Sequence, residues 1–219
     1  MIKYCLFDLD GTLLYTLPSI AYYVNKALAD NGVEQITLDE ARRFICNGSE
    51  KLIERIFLSK GISDPVLQKK VLKEYKSAYD REPLYLTEYY PGIVELISEL
   101  GEKGIKLCVL SNKPDVAVRG LISHFFGEIK YVRGARVGVP LKPDPTAGIE
   151  LLSEMGATPE QTAVIGDSPE DIMTAKNLGA ALKIGVSWGF RSKKELKEAG
   201  ADVICDSPGE VFREVLDAD

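Results

Sequence analysis

The stretch Ile2-Lys3-Tyr4-Cys5-Leu6-Phe7-Asp8-Leu9-Asp10-Gly11-Thr12 decides how this 219-residue chain folds. Residues 2–7 are apolar at nearly every position, and the run ends abruptly on two acids and a glycine. A strand with one wet face alternates apolar and polar side chains, whereas a strand covered on both faces reads as an unbroken apolar run. The opening stretch therefore predicts a buried strand of a parallel sheet, with charged residues delivered where that strand ends.

Similar runs recur at 105–110, 163–165 and 182–186, with weaker ones at 129–132 and 202–204. Helical patterns lie between them. Pro91-Gly92 opens the 3-4 spacing of Ile93, Leu96, Ile97 and Leu100, stopped by Gly101. Thr158-Pro159-Glu160-Gln161 reads as a helix start, with proline at the first helical position and a capping-box partner. Strand–helix alternation after residue 90 predicts a doubly wound, Rossmann-like α/β core with a mostly parallel sheet.

Residues 15–87 read differently. Ile20, Tyr23, Val24, Ala27 and Leu28 form one helical stripe halted by Asn31-Gly32. Thr37-Leu38-Asp39-Glu40 is a capping box, Ser49 is a possible cap for a helix carrying Leu52, Ile53 and Ile56, and Asp64-Pro65 opens a fourth helix. A helical module thus interrupts the core after its first strand, so that 1–14 plus 88–219 form the α/β domain and 15–87 an inserted helical bundle.

The chain has 27 Lys and Arg against 33 Asp and Glu, a net charge of −6, and 45% hydrophobic residues. That balance disfavours a nucleic-acid or anionic-membrane binder, which needs clustered cations. No apolar stretch approaches the ~20 residues of a membrane helix, and the N-terminus lacks a signal-peptide pattern. Cys5, Cys46, Cys108 and Cys205 lie far apart without a CxxC pair, which suggests neither zinc nor a disulfide framework. A cytoplasmic protein, monomer or homodimer, is the expectation.

In open α/β sheets ligands bind beyond the carboxyl ends of the strands. There the sequence places Asp8-Leu9-Asp10-Gly11-Thr12, Ser111-Asn112-Lys113, Lys142-Pro143-Asp144-Pro145 and Gly166-Asp167-Ser168-Pro169-Glu170-Asp171. Carboxylates, a hydroxyl and a lysine so close to buried strands are costly unless their charges are compensated. A hard cation held by oxygen ligands meets that need, and Mg²⁺ suits it.

These four motifs, in this order, resemble the haloacid-dehalogenase-like phosphohydrolase superfamily, within it the phosphoglycolate-phosphatase-like enzymes. The resemblance implies a Mg²⁺-dependent phosphomonoesterase with a cap domain, acting on a small phosphorylated metabolite. It implies Asp8 as the nucleophile that becomes an aspartyl-phosphate and Asp10 as the general acid–base. Asp8, Asp167 and the backbone carbonyl of Asp10 would ligate the metal, with Asp171 as a supporting acid. Ser111 and Lys142 would stabilise the transferred phosphoryl group. Gly11, Thr12 and Asn112 would approach the phosphate, and in the cap Asn47 and Ser49 would contact substrate.

Other readings share these residues. A mutase or pyrophosphatase could use the same core, and dehalogenation would not require Asp10. A receiver-like phospho-acceptor module needs neither Asp10 nor the insertion. Asp171 also suits the first turn of a helix, and Asn47-Gly48 a plain turn. Two features depart from the family pattern: Leu14-Tyr15-Thr16, where a small or polar pair with an acid is usual, and Arg136 ahead of Lys142. Trp188-Gly189-Phe190, past the last long apolar run, resembles a loop that follows the last core strand in these enzymes, and packing is its default explanation.

Overall fold

The structure is a computed structural model that describes residues 1–45 and 48–218. It divides into two compact units, Met1–Tyr15 with Tyr89–Asp219, and Thr16–Glu88.

The first unit is built on six strands: β1 (Tyr4–Phe7), β4 (Lys106–Pro114), β5 (Tyr131–Ala135), β6 (Thr162–Gly166), β7 (Leu182–Val186) and β8 (Val203–Cys205). Their order is β5-β4-β1-β6-β7-β8, and every neighbouring pair is parallel. The two-residue strands β2 (Leu14–Tyr15) and β3 (Glu88–Tyr89) mark where the chain leaves and rejoins this unit. The α/β class expected from the apolar runs is the class observed.

Alternation along the central strand explains why those runs lack polar positions. Cys5 and Phe7 enter one core with Val109, Ile165 and Ile184. Covering it are α5 (Ile93–Glu102), α6 (Asp115–Phe125) and α10 (Pro208–Asp217). Tyr4 and Leu6 point the other way, into a core with Cys108, Leu110 and Val164 beneath α7 (Thr146–Met155) and α8 (Pro169–Leu178). Helix α9 (Lys193–Ala199) packs beside β7 and β8. Because both faces are covered, a strand gains by being apolar throughout.

Connections from β1 run first to β4 and β5 on one side, then return to β6, β7 and β8 on the other. This reversal is the topological switch point, where the carboxyl ends of β1 and β6 leave a crevice.

Several local expectations are corrected. The Thr158 start yields only a 3-10 turn at Pro159–Gln161, because β6 begins at Thr162 and leaves no room for a helix. Gly101 lies inside α5; the left-handed Gly104, at φ 76°, follows the end of the helix. Strand β4 continues through Ser111, Asn112 and Lys113, with an irregular register between Leu110 and Pro114.

The second unit holds α1 (Leu17–Asp30), α2 (Leu38–Phe44), α3 (Gly48–Ser59) and α4 (Pro65–Arg81). Buried Ile20, Tyr23, Val24 and Leu28 of α1, Ile53, Ile56 and Phe57 of α3, and Val71 and Tyr75 of α4 supply its interior. Thr37 forms the expected capping box with Glu40, and Asp64 caps α4. No helix among the described residues is long and apolar enough to cross a membrane.

Two residues of α7 test this layering. Leu151 is fully buried against the sheet and Ile149, two positions earlier, is 54% exposed. Leu151→Ala is expected to cost about 2–5 kcal/mol, and Ile149→Ala no more than about 0.5 kcal/mol. Urea unfolding measures both, and equal losses would contradict the assigned faces.

Candidate active site

Asp8 follows β1 directly, and its N–H continues the ladder by donating to the Ile165 carbonyl at 2.9 Å. The chain then turns sharply: Leu13 N–H donates to Leu9 O at 3.0 Å, and Gly11 takes φ 89°. A side chain at residue 11 would be strained in that conformation. It would also be obstructed, since a β-carbon there would lie 2.3 Å from Asp167 Oδ2.

Lys142 reaches the same crevice from the loop after β5. Its Nζ donates to Asp8 Oδ1 at 2.7 Å, Asp171 Oδ1 at 2.6 Å and the Leu110 carbonyl at 3.0 Å, so all three donors have partners. The backbone beneath it is held by Asn112. Lys142 N–H donates to Asn112 Oδ1 at 2.8 Å, and Asn112 Nδ2 donates back to Lys142 O at 3.1 Å. The Asn112 side chain therefore fixes the lysine. Ser111, one residue earlier in β4, is buried, with its Oγ accepting from Lys113 N–H at 3.3 Å.

Asp167 follows β6, and Asp171 lies in the first turn of α8. Asp171 divides its carboxylate between the start of α8 and Lys142. Its Oδ2 accepts from Ser168 N–H at 3.0 Å and Ser168 Oγ at 2.6 Å, completing a capping box, while its Oδ1 takes the lysine. Asp167 Oδ2 accepts from Phe190 N–H at 2.7 Å, and the Thr12 hydroxyl donates to Asp167 Oδ1 at 3.3 Å.

One oxygen from each of Asp8, Asp167 and Asp171 lies within 4.8 Å of the others, and all three residues are buried. Three carboxylates against one ammonium leave two negative charges uncompensated. Two like charges 4 Å apart repel by roughly 4 kcal/mol at an effective dielectric constant near 20. Burial, reinforced by the Asp171 charge, pushes Asp8 up to about 7 despite the opposing lysine. Burial and the charges of Asp171 and Asp8 also raise Asp167 well above the usual carboxylate range. Burial alone would lower the Lys142 ammonium, but Asp171 and Asp8 outweigh it and hold the group above the ordinary lysine range. The deficit of two charges and an all-oxygen donor set without His or Cys fit a hard divalent cation.

Asp10 stands apart from this triad. Both of its carboxylate oxygens accept from Lys113 Nζ at 3.0 Å, and the lysine side chain is buried. Lys113 follows Ser111-Asn112 on the same rim, but nothing in the sequence marks it as the partner of Asp10. Arg136 pairs with Glu150 of α7. Ser49 stands in the first turn of α3, whereas Asn47 lies outside the described residues.

Comparison with known proteins assigns the family. A family model described as haloacid dehalogenase-like hydrolase matches residues 2–179. The phosphoglycolate phosphatase of Rhodospirillum rubrum is 31% identical, over 94% of this chain and 88% of that protein. The phosphoglycolate phosphatase of Vibrio cholerae is 31% identical over 98% and 97%. Among solved structures, a protein from Lactobacillus delbrueckii subsp. bulgaricus superposes with a TM-score of 0.90 at 29% identity, covering 97% of this chain and 98% of that one. CbbY from Rhodobacter sphaeroides, solved in complex with phosphate, gives 0.80 at 28% identity, with 96% of each chain covered. With a buried acid–lysine cluster at the switch point of its sheet and phosphatases aligned along nearly its whole length, the chain belongs to the haloacid dehalogenase-like hydrolase family and is an enzyme of its phosphatase type.

Proposed function

We propose that this chain is a Mg²⁺-dependent phosphomonoesterase for a small phosphorylated metabolite of the phosphoglycolate class, working through a phosphoryl group carried transiently on Asp8. One observation carries the reading: Lys142 Nζ lies 2.7 Å from Asp8, with a carboxylate oxygen of Asp167 within 4.8 Å of one from Asp8. A carboxylate attacks a phosphate dianion only when their mutual repulsion is relieved. The substrate class is supported by the names of the relatives, and the phosphate in the CbbY complex supports a phosphoryl ligand.

In this mechanism an Asp8 oxygen attacks phosphorus, the bond to the leaving alkoxide breaks, and Asp10 gives that alkoxide a proton. Asp10 then removes a proton from water, which attacks the aspartyl-phosphate. The bond between Asp8 and phosphorus breaks, inorganic phosphate leaves, and the carboxylate is restored. Lys142 offsets the charge on Asp8 and on the equatorial phosphoryl oxygens. Ser111, Thr12 and the backbone at Gly11 and Asn112 bind those oxygens, and Asp171 keeps Lys142 aimed. Mg²⁺ at Asp8, Asp167 and the Asp10 carbonyl would neutralise charge on the phosphate.

The unit Thr16–Glu88 serves in this reading as the cap that selects substrate, with Asn47 and Ser49 as its contacts. Among the described residues the cysteines Cys5, Cys108 and Cys205 are free and buried, which fits a reducing, cytoplasmic setting.

Hydrolysis of p-nitrophenyl phosphate should require Mg²⁺ and cease with EDTA, and Asp8→Asn should lower the rate by about 10³-fold or more. Activity surviving either treatment refutes the mechanism. Lys142→Met should cost about 10³-fold in kcat. Without added cations it should also lose about 3–5 kcal/mol in urea unfolding, because buried carboxylates are left without a counter-charge. Wild-type stability in that variant would show that the lysine does not compensate them. Among phosphorylated metabolites, phosphoglycolate is expected to give the highest kcat/KM.

A further inference from the structure

Asp167 is 2% exposed, yet the three Lys142 donors go elsewhere, to Asp8, Asp171 and a carbonyl. What holds it is the loop after β7. Phe190 N–H donates to Asp167 Oδ2 at 2.7 Å. Trp188 Nε1 donates to the Thr12 carbonyl at 3.1 Å, and the Thr12 hydroxyl donates to Asp167 Oδ1 at 3.3 Å. Gly189, between them, lies flat against the acid: a β-carbon there would come within 2.2 Å of Asp167 Cβ and 2.4 Å of its Oδ2. Ser187 N–H donates to Cys205 O at 3.0 Å, which ties the base of the loop to the end of β8.

Packing alone does not account for this arrangement. The loop does bury apolar area, with Trp188 against the core and Phe190 only 8% exposed, but packing requires no polar donors, and here directed hydrogen bonds converge on one carboxylate. All the donors are formally neutral. They orient the carboxylate without cancelling its charge, as a lysine would, so the charge remains for a cation. Groups that orient a metal ligand in this way typically change metal affinity about 10–100-fold when removed.

We propose that Trp188-Gly189-Phe190 is a positioning loop that fixes Asp167 for cation binding and couples it, through Thr12, to the turn carrying Asp8 and Asp10. The inference rests on reading Asp167 as a cation ligand. Trp188 is the single tryptophan of the chain, so its emission reports on this contact.

Mg²⁺ alone is titrated into the full chain, followed by calorimetry and by Trp188 emission. In the wild type binding should change the emission, and Asp167→Asn should lose both signals. Gly189→Ala should weaken Mg²⁺ binding about 10–100-fold. Trp188→Phe and Thr12→Val should weaken it measurably by calorimetry while remaining folded, and they carry the test if Gly189→Ala does not fold. If Asp167→Asn binds Mg²⁺ like the wild type, the reading of Asp167 fails and the inference with it. If Asp167→Asn loses binding but the folded loop and Thr12 variants bind like the wild type, the reading stands and the loop is packing only.

Discussion

The buried ammonium of Lys142 stands between two carboxylates with a third close by, and much of the site is arranged to keep it there. Removing one partner of a buried ion pair is far costlier than the pair is favourable, so the groups around such a lysine are tightly constrained. Asn112 clasps its backbone with two hydrogen bonds, and the Leu110 carbonyl takes its third donor. Both residues belong to β4, whose place beside β1 sets the distance between the lysine and Asp8. The sheet order thus acts directly on the electrostatics.

Four acids share the carboxyl rim of this sheet, and each meets a different environment. Asp8 bonds to the lysine and feels Asp171. Asp171 divides its oxygens between the lysine and the N-terminus of α8. Asp167 is met by neutral donors, and Asp10 is clasped by a separate lysine, Lys113. Chemically identical side chains acquire distinct roles when their surroundings differ in this way. In the proposed mechanism this lets a nucleophile, a proton carrier and a cation ligand share one crevice.

The α/β core was readable because burial on both faces leaves a local trace, the unbroken apolar run, and strand–helix alternation leaves another. Local helix starts were readable too: the capping box at Thr37 and the proline start at Asp64-Pro65 are encoded in neighbouring residues. Errors arose where a local signal met a spatial limit. Thr158-Pro159-Glu160-Gln161 carries the letters of a helix start, but the next strand begins too soon for a helix to form.

Asp8, Asp10 and Asp167 were legible as rim residues because a side chain following a buried strand must emerge at that strand's end. The sequence by itself therefore determined the layers, the rim and the acids upon it. Only the tertiary structure decided the pairings, since they join residues remote along the chain: Lys142 with Asp8 across 134 positions, and Lys113 with Asp10 across 103. It alone also revealed the loop that holds Asp167. The group that holds the acid there is the backbone N–H of Phe190, and a backbone N–H, common to every residue but proline, has no letter of its own in a sequence.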